Sequence, residues 1–577
     1  VNRPAGSRLP AALPGLWLVV AALAIASPFV DLGRRVLWPP DEGRYAVVIR
    51  EMAASGDWVV PTYGGKPRID KPPLFLWAGA AASRLAGGVS EATVRLPSAV
   101  AAAAALVATA ALGARLFDPA TGLLAALVLA TCGRFLLYSQ WAATDMTLAA
   151  LTTIALAAAA AGGAVPAGPG RRPRLLAAGP LFFGAAALAV LAKGPVGVVL
   201  PAAVVLADHA AAARGRPRAL LEAARRLAPA WAAGAAVFAA VAAPWFILLH
   251  ERLGAGALRE VLFRQNVGRF LDAWNAQQPW HFYFKVLPMD LMPWTLFLPA
   301  AFLPLERIDE GRPGAWRFPR VWLVLVFAFF SAASGKSPEY LMPLLPAAAI
   351  LIARVFVLAG PPGSAGAGPR PGRSPAIARW WIAGAGGALA AAGAAGALLL
   401  PGVAGARLPG STEAAAAAAL AAALVAAGAA AAVALARRGR AAAGAVALAA
   451  AVLAVRFAAA GPLVDAGNAL QAAPEAGRAL AEILPPDAEV GVGRKGGDYI
   501  MYYAARPVVP LERPGPSLRF LQERPGRALV LKAREHRELA PRLGPGIEVV
   551  GRWGDEERGF VLLRNTGAAA PAGAGGR

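Results

Sequence analysis

Apolar runs long enough to cross a bilayer recur along most of this chain, and arginine-bearing loops separate them. Where no water is available, a run of about 20 apolar residues satisfies its own backbone hydrogen bonds only as a helix. Such runs can be placed at about thirteen positions: near 11–30, 95–115, 120–138, 145–163, 175–192, 195–213, 228–250, 288–304, 320–334, 340–358, 378–401, 412–436 and 441–461. Composition agrees, since 58% of the 577 residues are hydrophobic and 16% are charged. A soluble domain would carry nearer ~25% charged residues. The expected class is an α-helical polytopic membrane protein. Alanine is barely hydrophobic, so runs such as 412–436 must be held by close helix contact as much as by lipid. The first run follows Arg3 and Arg8 and has no small-x-small cleavage site before Asp31, so a retained first helix is expected.

A net charge of +23 would suggest nucleic acid in a soluble domain. Its placement excludes that partner here. With the N-terminus inside, the even-numbered connections hold Arg115; Arg171, Arg172 and Arg174; Arg214, Arg216, Arg218, Arg225 and Arg226; Arg307, Arg312, Arg317 and Arg320; Arg370, Arg373 and Arg379; and Arg437, Arg438 and Arg440. The odd connections are mixed: between Asp31 and Glu91 eight basic residues face seven acidic ones. That bias predicts the N-terminus in and the C-terminus out. It also gathers the polar signatures on the outer face: 38–73, SQWAATD at 139–145, KGP at 193–195, the long 251–287 segment read as a loop, and the 331–340 run. Cys132 stands alone and forms no internal disulfide.

The densest of these stretches is the loop Trp38–Pro73, inside a first outer loop spanning 31–94. It collects Asp41, Glu42, Arg44, Arg50, Glu51, Asp57, Lys66, Asp70 and Lys71. Ionisable groups beside a bilayer are costly unless solvated or paired, so this density suggests a site. After Pro39-Pro40, EGRYAVVIREMAASG has helical period and reads as a short amphipathic helix on the membrane surface, with Asp41 and Glu42 at its start. An aspartate there is equally a helix cap. Lys71 precedes two prolines on an extended backbone, a good mount for a phosphate-binding charge, though a snorkelling lysine has the same pattern. Asp145 can cap its helix and Lys193 can anchor an interface. Arg264 and Arg269 neighbour Trp274, Trp280, His281 and Tyr283, residues typical of an aromatic belt. Four histidines, none at ligand spacing, form no zinc motif.

From about 463 the character changes. Short β-rich runs (EVGVG, IMYYA, RALVLK, IEVVGRW, FVLLR) alternate with helical patterns, which predicts a small α/β domain over 463–566 on the outer side, after a membrane domain over 1–462. The tail 567–577 is low-complexity and expected to be disordered.

The first loop resembles that of the polyprenyl-phosphate-dependent GT-C glycosyltransferases, most closely the lipid A aminoarabinose transferases beside the protein O-mannosyltransferases (glycosyltransferase family 39). The residues that carry the resemblance are Asp41-Glu42-Gly43-Arg44-Tyr45, Arg50-Glu51-Met52-Ala53-Ala54-Ser55-Gly56-Asp57-Trp58 and Lys71-Pro72-Pro73. Weaker matches are VRLPSA at 94–99, Thr144-Asp145, Lys193-Gly194, Arg269-Phe270, the LP…PW spacing at 287–294, and SGKSPEYLMPLLP at 334–346. The resemblance implies a GT-C fold, a catalytic Asp41, and contact of Lys71 and Arg269 with a lipid phosphate. Arg44 is a further candidate for that phosphate, Asp145 a second carboxylate, and Glu42, Tyr45, Lys193 and Tyr340 candidate substrate lining. The implied reaction moves a sugar, with inversion, from an undecaprenyl-type phosphate to lipid A, another glycan or a protein, at the outer face of a bacterial inner membrane. No organic cofactor is implied and a divalent metal is left open. Gln265-Asn266 departs from the Glu-His usual in the aminoarabinose branch, so the sugar is not fixed by the resemblance. A transporter or flippase of a lipid-linked saccharide is the alternative; its charges would gather at the midplane rather than at one face.

Overall fold

The computed structural model describes residues 14–39, 41–163, 175–214, 216–272, 276–307, 309, 313–360, 376–407, 412–493, 496–504, 506–511 and 514–567. Contacts divide the chain into two compact units. The first takes in Val1–Val30, Ile69–Phe75 and Leu96–Leu463; the second Asp31–Arg68, Leu76–Arg95 and Val464–Arg577. The expected tail over 567–577 lies, apart from Gly567, outside the described residues.

Among the described residues, nine helices are long and apolar enough to cross a membrane, from Glu91–Leu116 to Ala441–Ala458. Gly15–Phe29, Leu74–Leu85, Pro119–Ala130 and Ala178–Lys193 are shorter apolar helices. The chain is a multi-pass membrane protein. Three differences from the sequence reading have physical causes. The 288–304 run is no continuous helix: Phe282–Asp290 is α-helical, and Thr295–Phe302 is 3-10. Prolines at 288, 293, 299 and 304 remove one amide donor every five or six residues, which breaks α-helical pairing. The 251–287 segment is not a loop, because the helix Pro217–Leu258 changes direction at Gly254 (φ 75°) and continues as a π-helix, Arg259–Gly268. Leu74–Leu85 adds an apolar helix inside the stretch read as one outer loop.

The first unit is built around Pro338–Leu358. Every residue of its α-helical part, Leu345–Leu358, is buried. It packs against Pro119–Ala130, Pro313–Ala332 and Ala441–Ala458, with Phe356 meeting Phe297 and Trp294 at ring distances of 5.0 and 6.1 Å. The Ala-rich helices Ala376–Arg407, Thr412–Arg437 and Ala441–Ala458 pack through small residues: Gly428 lies on Ala451 and Gly444 on Ala432. At the far end of the central helix, Arg354 (0% exposed) is clamped by Asp118 and Asp309; its Nε donates to Asp309 at 2.9 Å and Trp316 Nε1 donates to the same carboxylate at 2.8 Å. The topogenic arginines nearby are likewise occupied. Arg115 donates to the carbonyls of Ala160 and Ala161, and Arg317 pairs with Asp208 at 2.8 Å.

In the second unit, the hairpin β1 (Thr62–Tyr63) and β2 (Lys66–Pro67) follows the helix Glu42–Ser55. A five-stranded sheet comprises β3 (Val490–Gly493), β4 (Val509–Leu511), β5 (Ala528–Lys532), β6 (Ile547–Trp553) and β7 (Phe560–Asn565), in the order β4-β3-β5-β7-β6. β3 runs parallel to β4 and β5, while β7 is antiparallel to β5 and β6. Leu521, Leu529, Leu531, Leu539, Val561 and Leu563 form its core. IMYYA, expected as a strand, is the helix Gly497–Tyr503. Burial of Tyr499, Ile500 and Met501 against the first-loop helix overrides their β propensity. That first-loop helix does not present its apolar face to lipid. Ala46, Val47, Ile49 and Met52 are buried in the unit, and Arg50 donates to the carbonyls of Met501 and Tyr502 at 2.8 and 3.0 Å.

Replacing Arg354 with leucine would strand two buried carboxylates, and breaking such a pair costs about 3–5 kcal/mol. A sharply lowered melting temperature of Arg354→Leu in detergent is the expected result.

Candidate active site

The start of Thr144–Ala161, the end of Leu175–Lys193 and the start of Pro338–Leu358 carry Asp145, Lys193 and Tyr340, which would meet if the three helix ends lay together. They do. Lys193 Nζ forms an ion pair with Asp145 and stands 4.6 Å above the Tyr340 ring. These groups border a cavity of about 270 Å³ lined by Lys71, Lys193, Arg269 and Tyr340, with Gln265 and Asn266 beside them. Leu148, Val199, Phe270, Phe329 and Phe330 supply apolar walls. The π-helical winding holds Asn266 in place: its side-chain amide donates to the Val261 carbonyl five residues back at 2.7 Å. Five of the nine expected site residues therefore come together in one unit: Lys71, Asp145, Lys193, Arg269 and Tyr340.

Three cations around one cavity repel one another, and Asp145 pairs directly with Lys193. Burial, followed by the nearby Lys193 and Arg269 charges, pushes the Lys71 ammonium down to about 8, with Asp70 and Asp145 pulling the other way. A group so placed favours any anion that enters. Sequence reasoning missed Glu339, one position before Tyr340. Its carboxylate accepts from Tyr138 at 3.2 Å and from Ser337. The only signal was its place in the 334–346 run.

Asp41, Glu42, Arg44 and Tyr45 belong to the second unit. Asp41 occupies the cap position of Glu42–Ser55, yet its carboxylate makes no capping bond and pairs with Arg44 instead. Capping does not explain it. Glu42, expected to line substrate, is corrected to a buried anchor: it is 0% exposed and takes Arg95 at 2.8 and 2.9 Å, Arg35 at 2.8 and 3.0 Å and the Trp38 amide at 2.9 Å. Burial alone would raise its carboxyl; Arg95, Arg35 and that amide together hold it below the ordinary carboxylate range. Tyr45 is half-buried, its amide donating to the Asp41 carbonyl at 3.2 Å. Arg44 borders a cavity of about 850 Å³ lined by both first-loop and C-terminal residues. Among the described residues, no three His, Cys, Asp or Glu side chains converge as metal ligands would.

The architecture, a multi-pass helical body with a small α/β domain, is the fold seen in the solved structures of ArnT. The crystal structure of ArnT from Cupriavidus metallidurans bound to undecaprenyl phosphate superposes with a TM-score of 0.76, covering 97% of this chain and 100% of that one at 22% identity. Residues 30–253 match the family described as dolichyl-phosphate-mannose-protein mannosyltransferase. The undecaprenyl phosphate-alpha-4-amino-4-deoxy-L-arabinose arabinosyl transferase of Pseudomonas aeruginosa (strain UCBPP-PA14) is 34% identical over 335 residues, 57% of each chain. That of Sodalis glossinidius is 32% identical over 347 residues, 59% of this chain and 58% of that one. The matched region thus spans under three-fifths of these curated relatives' length.

Leucine at Glu42 would leave Arg35 and Arg95 buried without their counter-charge, a loss of about 3–5 kcal/mol. Glu42→Leu is expected to lower the melting temperature and yield; a variant that melts normally and changes only KM would restore the lining role.

Proposed function

We propose that this protein is a membrane glycosyltransferase that moves a sugar from a polyprenyl-phosphate donor to a saccharide-bearing acceptor of the cell envelope, lipid A being one candidate. The observation that carries the reading is the grouping of Lys71, Lys193 and Arg269 over a cavity with aromatic and aliphatic walls. An anion joined to an apolar chain fits such a lining. The undecaprenyl phosphate bound to the ArnT of like fold supports the same donor class. The arginine bias of the loops supports an inner-membrane protein with the site on the periplasmic side.

In this mechanism, displacement at the anomeric carbon breaks its bond to the donor phosphate oxygen. Negative charge grows on the departing phosphate while the ring gains oxocarbenium character. Lys71 and Arg269 stabilise the phosphate as preorganised cations. Asp145 holds Lys193 in place and lends negative charge toward the ring. Asp41 takes the proton of an acceptor hydroxyl as general base; with an already anionic phosphate acceptor it orients the nucleophile instead. A single displacement inverts the anomeric configuration.

Two measurements test this. Asp41→Asn, checked for normal membrane expression, is expected to slow transfer from a radiolabelled polyprenyl-phosphate sugar by about 10²-fold or more; transfer at the wild-type rate removes Asp41 from the chemistry. Movement of the donor across the bilayer without covalent transfer would instead establish a transporter. The second measurement uses pH. Lys71 is charged below its depressed value of about 8 and loses its proton above it. Binding of a polyprenyl-phosphate sugar, whose phosphodiester keeps one charge across this range, is therefore expected to be level below pH 7 and to weaken by up to about tenfold per unit above pH 8. Lys71→Arg should abolish that fall.

A further inference from the structure

The donor chemistry leaves unused the cavity of about 850 Å³ in the second unit. Its size suits a small-molecule site, which usually falls within about 300–1,000 Å³. It opens at the carboxyl ends of the three parallel strands, where Gly493 of β3, Leu511 of β4 and Lys532 of β5 all line it. From β3 the chain goes out to β4, then crosses back to β5 on the other side of β3. The connections of β3 and β5 therefore diverge, and ligands of open α/β sheets bind in the crevice that such divergence leaves.

The lining has a definite chemistry. Arg44, Arg68, Lys532 and Arg558 line it; Arg44 pairs with Asp41, and the one carboxylate in the lining, Asp498, accepts from the Tyr63 hydroxyl. Lys532 is half-buried, donates to the Arg558 carbonyl at 2.6 Å and lies 3.9 Å over the Phe560 ring. Burial depresses its ammonium below the ordinary lysine value, with the Glu535 and Asp555 carboxylates pulling the other way. Gly496 (φ +77°) keeps this approach open, because a Cβ there would stand 2.9 Å from both Lys532 and Phe560. Tyr499 is 4% exposed; the Gly43 amide faces its hydroxyl without forming a hydrogen bond of ordinary geometry. Tyr63, Tyr499 and Phe560 add aromatic wall to the crevice.

We propose that this crevice binds a phosphorylated saccharide head group, the acceptor of the transfer. The proposal rests on the transferase reading. Two features favour acceptor over donor. Mixed polar and aromatic walls replace the largely apolar ones around Lys71, and Arg44 on the crevice wall is the ion-pair partner of Asp41, the assigned base.

The test uses full-length protein in lipid nanodiscs and titration calorimetry with an acyl-free bisphosphorylated hexosamine disaccharide, its unphosphorylated counterpart and inorganic phosphate. The bisphosphorylated probe is expected to bind at least about tenfold more tightly than either control, and Lys532→Gln or Arg558→Gln to weaken it by about tenfold. Arg558 is exposed, so its variant keeps the test decisive if the Lys532 variant fails to fold. Equal binding of the unphosphorylated sugar, equal binding of inorganic phosphate, or wild-type affinity in both variants would overturn the proposal. Undecaprenyl phosphate binding, measured on the same samples and with Lys71→Gln, reports on the donor reading separately. Either can fail while the other stands.

Discussion

A charge that cannot reach water must find a partner, and this requirement shapes both units. In hydrocarbon an unsatisfied polar group costs several kcal/mol, roughly 2–7 for an amide or hydroxyl and far more for an ion. Helices solve the backbone half of the problem by themselves. The side-chain half is solved at helix ends. Arg354 meets Asp118 and Asp309 at one end of the central helix of the first unit, and Asp145 meets Lys193 at the opposite end of that unit's helices. The two pairings do different work. Arg354 is saturated and fully buried, a closed cluster that joins three segments. Lys193 is held by one carboxylate and one aromatic face and still borders an opening.

The same logic separates scaffold from site in the first loop. Asp41 and Glu42 are adjacent acids with nearly the same sequence signal. Glu42 has two guanidiniums and a backbone amide, no exposure, and no capacity left for a ligand. Asp41 has a single neighbouring arginine and keeps 36% side-chain exposure. A carboxylate satisfied four or five times over is a structural bolt; one with a single ion pair and partial exposure can exchange partners. Charge density identifies the neighbourhood, and hydrogen-bond saturation decides which member of it is available.

Much of this was legible before the fold was known. The helical body followed from apolar run length, and the grouping of Lys71, Asp145, Lys193, Arg269 and Tyr340 from a resemblance whose motifs lie far apart in the chain. What was illegible has common causes. The role of Glu42 depends on Arg95, 53 positions away, which no local pattern reveals. Periodicity cannot distinguish a π-helix ending at Gly268 from a loop rich in charge and aromatics, because both lack the 3.6-residue repeat. Residues 288–304 are apolar enough to span, yet their prolines forbid the hydrogen bonding that a span requires. Tyr499, Ile500 and Met501 favour strands, but burial against a helix 450 positions earlier wins.

Arginine shows why composition alone could not locate function. Many of this chain's arginines lie between its apolar runs, and at the helix ends opposite Lys193 they donate to carbonyls or pair with acids, as Arg115 and Arg317 do. Their charge is spent on protein. Around Lys71 the balance is reversed: burial and two neighbouring cations destabilise the ammonium, which is why its proton is held so loosely. On the proposed reading, an anion entering there would relieve that repulsion, so the same unfavourable electrostatics would favour its binding. Lys532 is also depressed by burial in the second unit, though Glu535 and Asp555 oppose the shift. The two cavities differ in chemistry, one walled by apolar side chains and the other by aromatic rings and guanidiniums, and on the proposed reading each would take a different phosphate.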